Sequence, residues 1–268
     1  MGKIYIIPNR NDIEASLAIA QQYHACFEYN DFYHPDVLDD DAKIAELIAF
    51  YQSLPRDRSE DTLHGAFLDV TVHSHDPLIR QVSDQRVRKS MDIACKLGVR
   101  AVIFHTNLIP NFKDSHYVDS WVEKNAAYWK GLAADYPQIN VYIENMFDAD
   151  PDAMARLMQA LADVPSVGAC FDYAHAAVFG DSLEKWLDTL LLHAPHIHVN
   201  DNDGIFDRHL PIGDGTLDYA LLDRTIKAAG HAPSVLIETK TAKDQLRSIE
   251  YMKANGIYPF DKGGILHA

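Results

Sequence analysis

The chain has 268 residues, 47% of them hydrophobic, which suffices for a full core and matches the length of one large α/β domain. Its 24 Lys and Arg against 39 Asp and Glu leave a formal net charge of −15, which argues against a broad nucleic-acid-binding face and against adhesion to an anionic membrane. Cys26, Cys95 and Cys170 lie far apart without a Cys-x-x-Cys pair, so neither a disulfide framework nor a thiolate zinc site is indicated, and Cys26 and Cys170 read as small core residues.

The N-terminal apolar run is only about six residues long and gives way to a helical pattern, so no signal peptide or membrane span is expected and a cytoplasmic protein is the default. Residues 3–7 form a β-branched run stopped by Pro8, and residues 11–23 carry a helical period through Ile13, Leu17, Ala18 and Ala20. Residues 25–29 read as the second strand, ending near Glu28. The second helix has an acidic start at 39–41 and an apolar stripe of Ile44, Leu47, Ile48 and Tyr51.

Residues 62–68 read as the third strand, carrying His64. Pro77 opens the third helix where its missing N–H is harmless, and Gly98 closes it. Residues 99–105, Val-Arg-Ala-Val-Ile-Phe-His, are the fourth strand, and the loop 107–115 leads to a helix holding Trp121, Tyr128 and Trp129. The fifth strand covers 140–145, with Asp150-Pro151 starting its helix. The remaining units are strand 166–172 with helix 183–192, strand 196–200 with helix 217–229, and strand 234–238 with helix 242–255. Eight strand-then-helix units without a linker or repeat predict one α/β domain over residues 1–268, a closed (β/α)₈ barrel.

Such barrels place their chemistry at the C-terminal ends of the strands. Those ends here carry His64, His105, Glu144, Asp172 with His175, His198 and Glu238. The loop after the seventh strand adds Asp207 and His209, an alternating pair suited to chelation because alternate residues of an extended segment share a side. Any one of these has a bland reading as a hydrogen-bonded structural group. Several, however, terminate apolar runs: Val-Ile-Phe-His105, Val-Tyr-Ile-Glu144, Ala-Cys-Phe-Asp172 and Val-Leu-Ile-Glu238. Charge at the end of a buried strand is costly unless paired or metal-bound, and the same choice at successive strands points to a divalent metal, with a mixed nitrogen and oxygen shell suited to Zn²⁺ or Mn²⁺.

The ordered set His64-Gly-Ala-Phe, Phe104-His105, Ile143-Glu144-Asn145, Phe171-Asp172-Tyr-Ala-His175, His198-Val-Asn200-Asp201, Asp207-Arg-His209-Leu-Pro-Ile-Gly213-Asp-Gly215 and Ile237-Glu238-Thr239 resembles the xylose-isomerase-like TIM barrels. That superfamily includes sugar isomerases and epimerases and the endonuclease IV branch. In the isomerase branch, the resemblance implies one metal held by Glu144, Asp172, His198 and Glu238. It implies that this metal stabilises an enediolate of a small sugar, sugar phosphate or related polyol, with Glu144 and Glu238 as acid and base and His175 as an auxiliary group. In the endonuclease branch it implies a cluster of up to three zinc ions on all nine residues, and phosphodiester hydrolysis. Tyr173 and Ala174 depart from the endonuclease signature between Asp172 and His175, and Asn202-Asp203 puts an acid where a phosphate backbone favours a base.

Arg208, Lys240, Phe147 and Tyr173 are the candidate substrate contacts, with Trp121 and Trp129 either in the pocket or in the packing. His73 and His75 form a chelate-like pair or cap the third helix. Gly213-Asp214-Gly215 is a weak candidate phosphate cradle. A small carbohydrate is the expected partner, nucleic acid and membrane are not, and the sequence leaves the oligomeric state open.

Overall fold

The computed structural model describes residues 2–112 and 114–261. Eight parallel strands close on themselves in sequence order: β1 (Ile4–Ile6), β2 (Cys26–Tyr29), β3 (Thr62–His64), β4 (Ala101–His105), β5 (Asn140–Glu144), β6 (Val167–Asp172), β7 (His196–Val199) and β8 (Ser234–Ile237), with β8 paired to β1. The expected (β/α)₈ barrel is what the chain forms.

The surrounding helices are α1 (Ile13–Tyr23), α2 (Pro35–Leu38), α3 (Asp41–Ser53), α4 (Pro77–Leu97), α5 (Ser115–Asp135), α6 (Asp152–Ala160), α7 (Tyr173–Phe179), α8 (Leu183–Leu190), α9 (Tyr219–Ala229) and α10 (Ala242–Asn255). Side-chain caps start most of them. Asp40, Asp76, Asp114, Ser182, Asp218 and Thr241 each accept a backbone N–H of the first turn. As expected, Pro77 begins α4 and Gly98, at φ 75°, ends it in a left-handed cap. Among the described residues no helix is long and apolar enough to cross a membrane.

Two of the differences from the sequence expectation bear on the site. The third strand stops at His64 instead of running to residue 68, and Gly65 just beyond it packs so closely on Phe104 that a Cβ there would lie 2.4 Å from the ring. The chain also enters α7 directly from β6. Asp172 is its N-cap, with Oδ1 accepting the His175 N–H at 2.6 Å, so the last strand residue starts a helix at once.

Strand alternation divides the core. Val102, Phe104, Val141, Ile143, Phe171, Ile197, Val235 and Ile237 face the helices in the main apolar core. Ala101, Ile103, Tyr142 and Cys170 form a separate cluster inside the barrel. Toward the strand C-termini the inward positions become His105, Glu144, Asp172 and His198, which is how an apolar strand delivers a charged terminus to the barrel mouth.

Candidate metal centre

Four donors converge at that mouth. Glu144, Asp172, His198 and Glu238 each present one ligand atom, all within 4.8 Å of one another. Register explains the convergence: Asp172 pairs with His198 across β6 and β7, and Glu144 lies opposite Cys170, two residues before Asp172 on the same inward face. His198 Nδ1 sits 3.2 Å from Glu144 Oε1 and 3.4 Å from Glu238 Oε2. Those approaches are not aligned as hydrogen bonds. Glu144 Oε2, Asp172 Oδ2, His198 Nδ1 and Glu238 Oε2 are buried without a hydrogen-bond partner. Buried polar atoms are normally satisfied, so an orphaned set of three carboxylates and one imidazole fits a divalent cation.

A second set shares Glu144. His64 Nε2 and His105 Nε2 face each other at 3.2 Å and lie 3.5 and 3.2 Å from Glu144 Oε2, and these three also have donor atoms within 4.8 Å. A third set is looser. Asp207 Oδ2 lies 2.9 Å from His209 Nε2 and 3.5 Å from His175 Nε2, and among the described residues this trio does not close to the same tightness.

Three of the imidazoles are oriented by backbone carbonyls. His64 Nδ1 meets Gly65 O at 3.1 Å, His175 Nδ1 meets Asn145 O at 2.9 Å, and His209 Nδ1 meets Glu238 O at 2.9 Å. Each contact puts the proton on Nδ1 and leaves Nε2 to accept or ligate. His198 is the reverse: its Nδ1 enters the four-donor set and its Nε2 faces Glu28 Oε1 at 3.3 Å.

Electrostatics follow from burial and proximity. Burial alone would raise the Glu144 carboxyl, but His198 and His105 hold it well below the usual carboxylate range. Asp172 is pushed up to about 7 by burial, against the pull of His175. Burial works against the charge on His209, yet Glu238 and Asp207 carry its pKa to about 9.

A pocket of about 240 Å³ opens onto the set, lined by Asn30, Tyr33, His64, Phe67, His105, Glu144, Met146, His175, Asp207, His209 and Glu238. Phe67 packs against His64, His105 and Tyr33, forming an aromatic wall. Among the expected substrate contacts, Phe147 is 45% exposed and packs edge-on to Phe179 at the rim. Arg208 is exposed and bonded to Asp203 at 2.6 Å, and Lys240 is exposed. Tyr173 lies outside the pocket: it is fully buried and donates its hydroxyl to Asp218 O, which makes it packing.

Trp121 and Trp129 are likewise core residues, with indole N–H groups bonded to Thr106 O and Asn125 Oδ1. His73 is buried against Trp121 while His75 meets Lys124, so the pair diverges instead of chelating. Gly213 and Gly215 surround a carboxylate of the chain itself instead of forming an open phosphate cradle. They wrap Asp201, whose carboxylate accepts the N–H groups of Gly213 and Leu217.

Residues beyond the sequence-derived set complete the site. Glu28 and His196 sit fully buried beneath His198, and Tyr33, Phe67 and Met146 form the wall. Asp148, bonded to Thr106 Oγ1 and Met146 N, braces the loop after β5. Alternation in β2, which puts Cys26 and Glu28 on one inward face, is the sequence signal that would have found Glu28.

The xylose isomerase-like TIM-barrel family model matches residues 22–255. The chain belongs to that family. It is 27% identical over 211 residues to an uncharacterized protein of Methanocaldococcus jannaschii, covering 74% of this chain and 71% of the other. It is 28% identical over 191 residues to a probable endonuclease 4 of Mycobacterium leprae, covering 66% and 71%. Among solved structures, a Thermus thermophilus protein soaked with zinc chloride superposes with a TM-score of 0.73 at 24% identity, covering 95% of this chain and 97% of that one. A D-tagatose 3-epimerase-like protein superposes with a TM-score of 0.72 at 23% identity, covering 94% and 96%. These likenesses of fold agree with the barrel derived from the strands.

Proposed function

We propose that this protein is a divalent-metal-dependent isomerase or epimerase of a small unphosphorylated sugar or related polyol. The observation that carries the reading is the four-donor set, two of whose members, Glu144 and Glu238, are glutamates from different sectors of the barrel mouth. A pocket of about 240 Å³ suits a monosaccharide-sized ligand. Among the described residues no Lys or Arg lines it, and Arg208 is already bonded to Asp203, which favours an uncharged sugar over its phosphate. The likeness to a D-tagatose 3-epimerase-like protein supports the same reaction class.

Glu144, Asp172, His198 and Glu238 would hold the cation, with Mn²⁺ and Zn²⁺ both suited to the donors. When bound, it supplies Lewis acidity that polarises a sugar carbonyl. One glutamate would remove the proton from the carbon next to that carbonyl, and the other would return a proton to the same carbon from the opposite face for epimerisation, or to the former carbonyl carbon for isomerisation, in which case the neighbouring hydroxyl's proton passes to the former carbonyl oxygen. His175, anchored through Nδ1 on Asn145 O, presents Nε2 to orient a substrate hydroxyl. Phe67 and Tyr33 offer an apolar face to the C–H side of the ring and keep water from it.

Turnover of a ketose panel in D₂O tests the reading. Wild-type protein should place one deuterium per turnover on the reacting carbon. Glu144→Gln or Glu238→Gln should lower turnover by about 10²–10⁴-fold with the fold intact. Near-normal activity in Glu144→Gln would remove that residue from the mechanism.

A second reading, a multinuclear-zinc phosphodiesterase, is favoured by the His64–His105–Glu144 set and by the endonuclease 4 relatives. It expects hydrolysis of a simple aryl phosphodiester that His105→Ala abolishes. The isomerase reading expects no such hydrolysis.

A further inference from the structure

Glu28 is fully buried inside the barrel, one layer below the four-donor set. Its carboxylate lies between two imidazoles of β7: Oε1 is 3.3 Å from His198 Nε2 and Oε2 is 3.3 Å from His196 Nε2, charge contacts not aligned as hydrogen bonds, so that Glu28 Oε1, His198 Nε2 and His196 Nε2 are buried without a hydrogen-bond partner. The Thr62 hydroxyl donates to Oε2 at 2.7 Å, and His196 Nδ1 meets the Ser234 hydroxyl at 2.6 Å. A carboxylate in such a place costs several kcal/mol unless cationic or hydrogen-bonding partners offset it, and an apolar residue would fill the same space without that cost. Something at this layer requires an acceptor.

The other imidazoles of the mouth show what it is. His64, His175 and His209 each give Nδ1–H to a backbone carbonyl and turn Nε2 toward the site. His198 alone enters the site through Nδ1. Its outward nitrogen faces the barrel interior, where the strands' carbonyls are taken up by the ladder. Glu28 projects from β2 across the barrel to meet it.

We propose that Glu28 is the positioning residue of the metal centre: it holds the proton of His198 on Nε2 and thereby keeps Nδ1 unprotonated and aimed at the cation. Thr62 fixes the carboxylate, and His196, held by Ser234, takes its second oxygen.

The trio Glu28, His196 and His198 also has ligand atoms within 4.8 Å of one another, yet it does not serve as a second cation site while the four-donor set is filled. An imidazole that binds one cation through Nδ1 could bind another through Nε2 only as an imidazolate anion. With Nε2 protonated, only two donors of the trio remain. The inference rests on the cation site and is independent of which reaction that site performs.

Cation affinity tests it without an activity assay. Dissociation constants for Zn²⁺ and Mn²⁺, measured by competition with a chelating dye, should rise about 10–100-fold in Glu28→Gln, the usual cost of losing a residue that orients a metal ligand. Tyr142→Phe removes a hydroxyl from the same barrel interior, one bonded to Arg100 and not to Glu28 or His198, so its constants should stay within about threefold of wild type. Equal weakening in both variants would mean general loosening of the layer and would overturn the proposal, as would an unchanged constant in Glu28→Gln.

If Glu28→Gln does not fold, histidine ¹⁵N spectra of zinc-loaded wild-type protein decide the matter. The His198 signal, assigned with His198→Gln, should show a protonated Nε2 and a zinc-bound Nδ1, and the reverse arrangement would overturn the proposal. Failure of wild-type protein to bind either cation would overturn both this inference and the metal-dependent function. A normal wild-type constant with unaltered Glu28→Gln would overturn this inference alone.

Discussion

Glu144, Asp172 and His198 stand on strands and are 0–1% exposed, whereas Asp207 and His209 hang from the loop after β7 with side chains 25% and 23% exposed. The strand-borne donors are placed by the barrel ladder itself, and their spacing follows from register. The loop-borne pair depends on a separate device. Asp201 pins the loop by accepting from Gly213 and Leu217, and His209 sits in left-handed backbone at φ 51°, a conformation non-glycine residues rarely adopt. The difference teaches where rigidity lies: the ladder fixes the strand-borne donors, whereas the loop-borne pair depends on the Asp201 anchor.

That contrast is sharpened first by activity. Glu144→Gln should cost about 10²–10⁴-fold in turnover, while Asp207→Ala should stay within about tenfold of wild type, as steady-state rates on the same ketose would show. An equal loss in both would make the loop part of the core machinery and bring the phosphodiesterase reading forward. Next in size is the loop's own anchor. A Cβ at Gly215 would lie 2.2 Å from Asp201 Oδ1 and 2.3 Å from Asn202 O, so Gly215→Ala forces backbone to move. It should destabilise the protein by about 2 kcal/mol in urea unfolding, with most of the lost order in the loop.

The smallest effect concerns a histidine away from the site. Burial, aided by Lys124 and His75, pushes His73 down to about 4. Trp121 and Tyr117 pack against it. The folded state therefore binds fewer protons here than the unfolded chain, and the contribution is complete above pH 6.5 and declines as pH falls toward 4. Between pH 7.5 and 5.5 the loss attributable to this residue should be about 1 kcal/mol, and His73→Gln should flatten that part of the stability profile.

Much of this was legible in the sequence because barrel chemistry repeats at strand ends. Apolar runs closing on His105, Glu144, Asp172 and Glu238 announce both the strand and its terminus. The eight units, the capped α4 and the nine candidate ligands were all readable that way. Substrate-side assignments were less so. Tyr173 looks like a pocket residue because it adjoins Asp172, but β6 passes straight into α7 and turns its ring into the packing with Phe171 and Tyr219. Arg208 has a suitable position in the chain, and its pairing with Asp203 is something only the fold of the loop reveals. Alternation in β2 marks Glu28 as inward-facing, but its meaning comes from His196 and His198 across the barrel, which the sequence alone does not bring together.

The central claim is that the strand-borne set holds the cation, and metal content tests it most directly. Elemental mass spectrometry on protein purified without chelator or added metal should give about one Mn or Zn per wild-type chain, about one in Asp207→Ala, and close to none in Asp172→Ala. An Asp172→Ala protein that keeps its full complement, or wild-type protein that takes up no metal even on titration, would contradict the account.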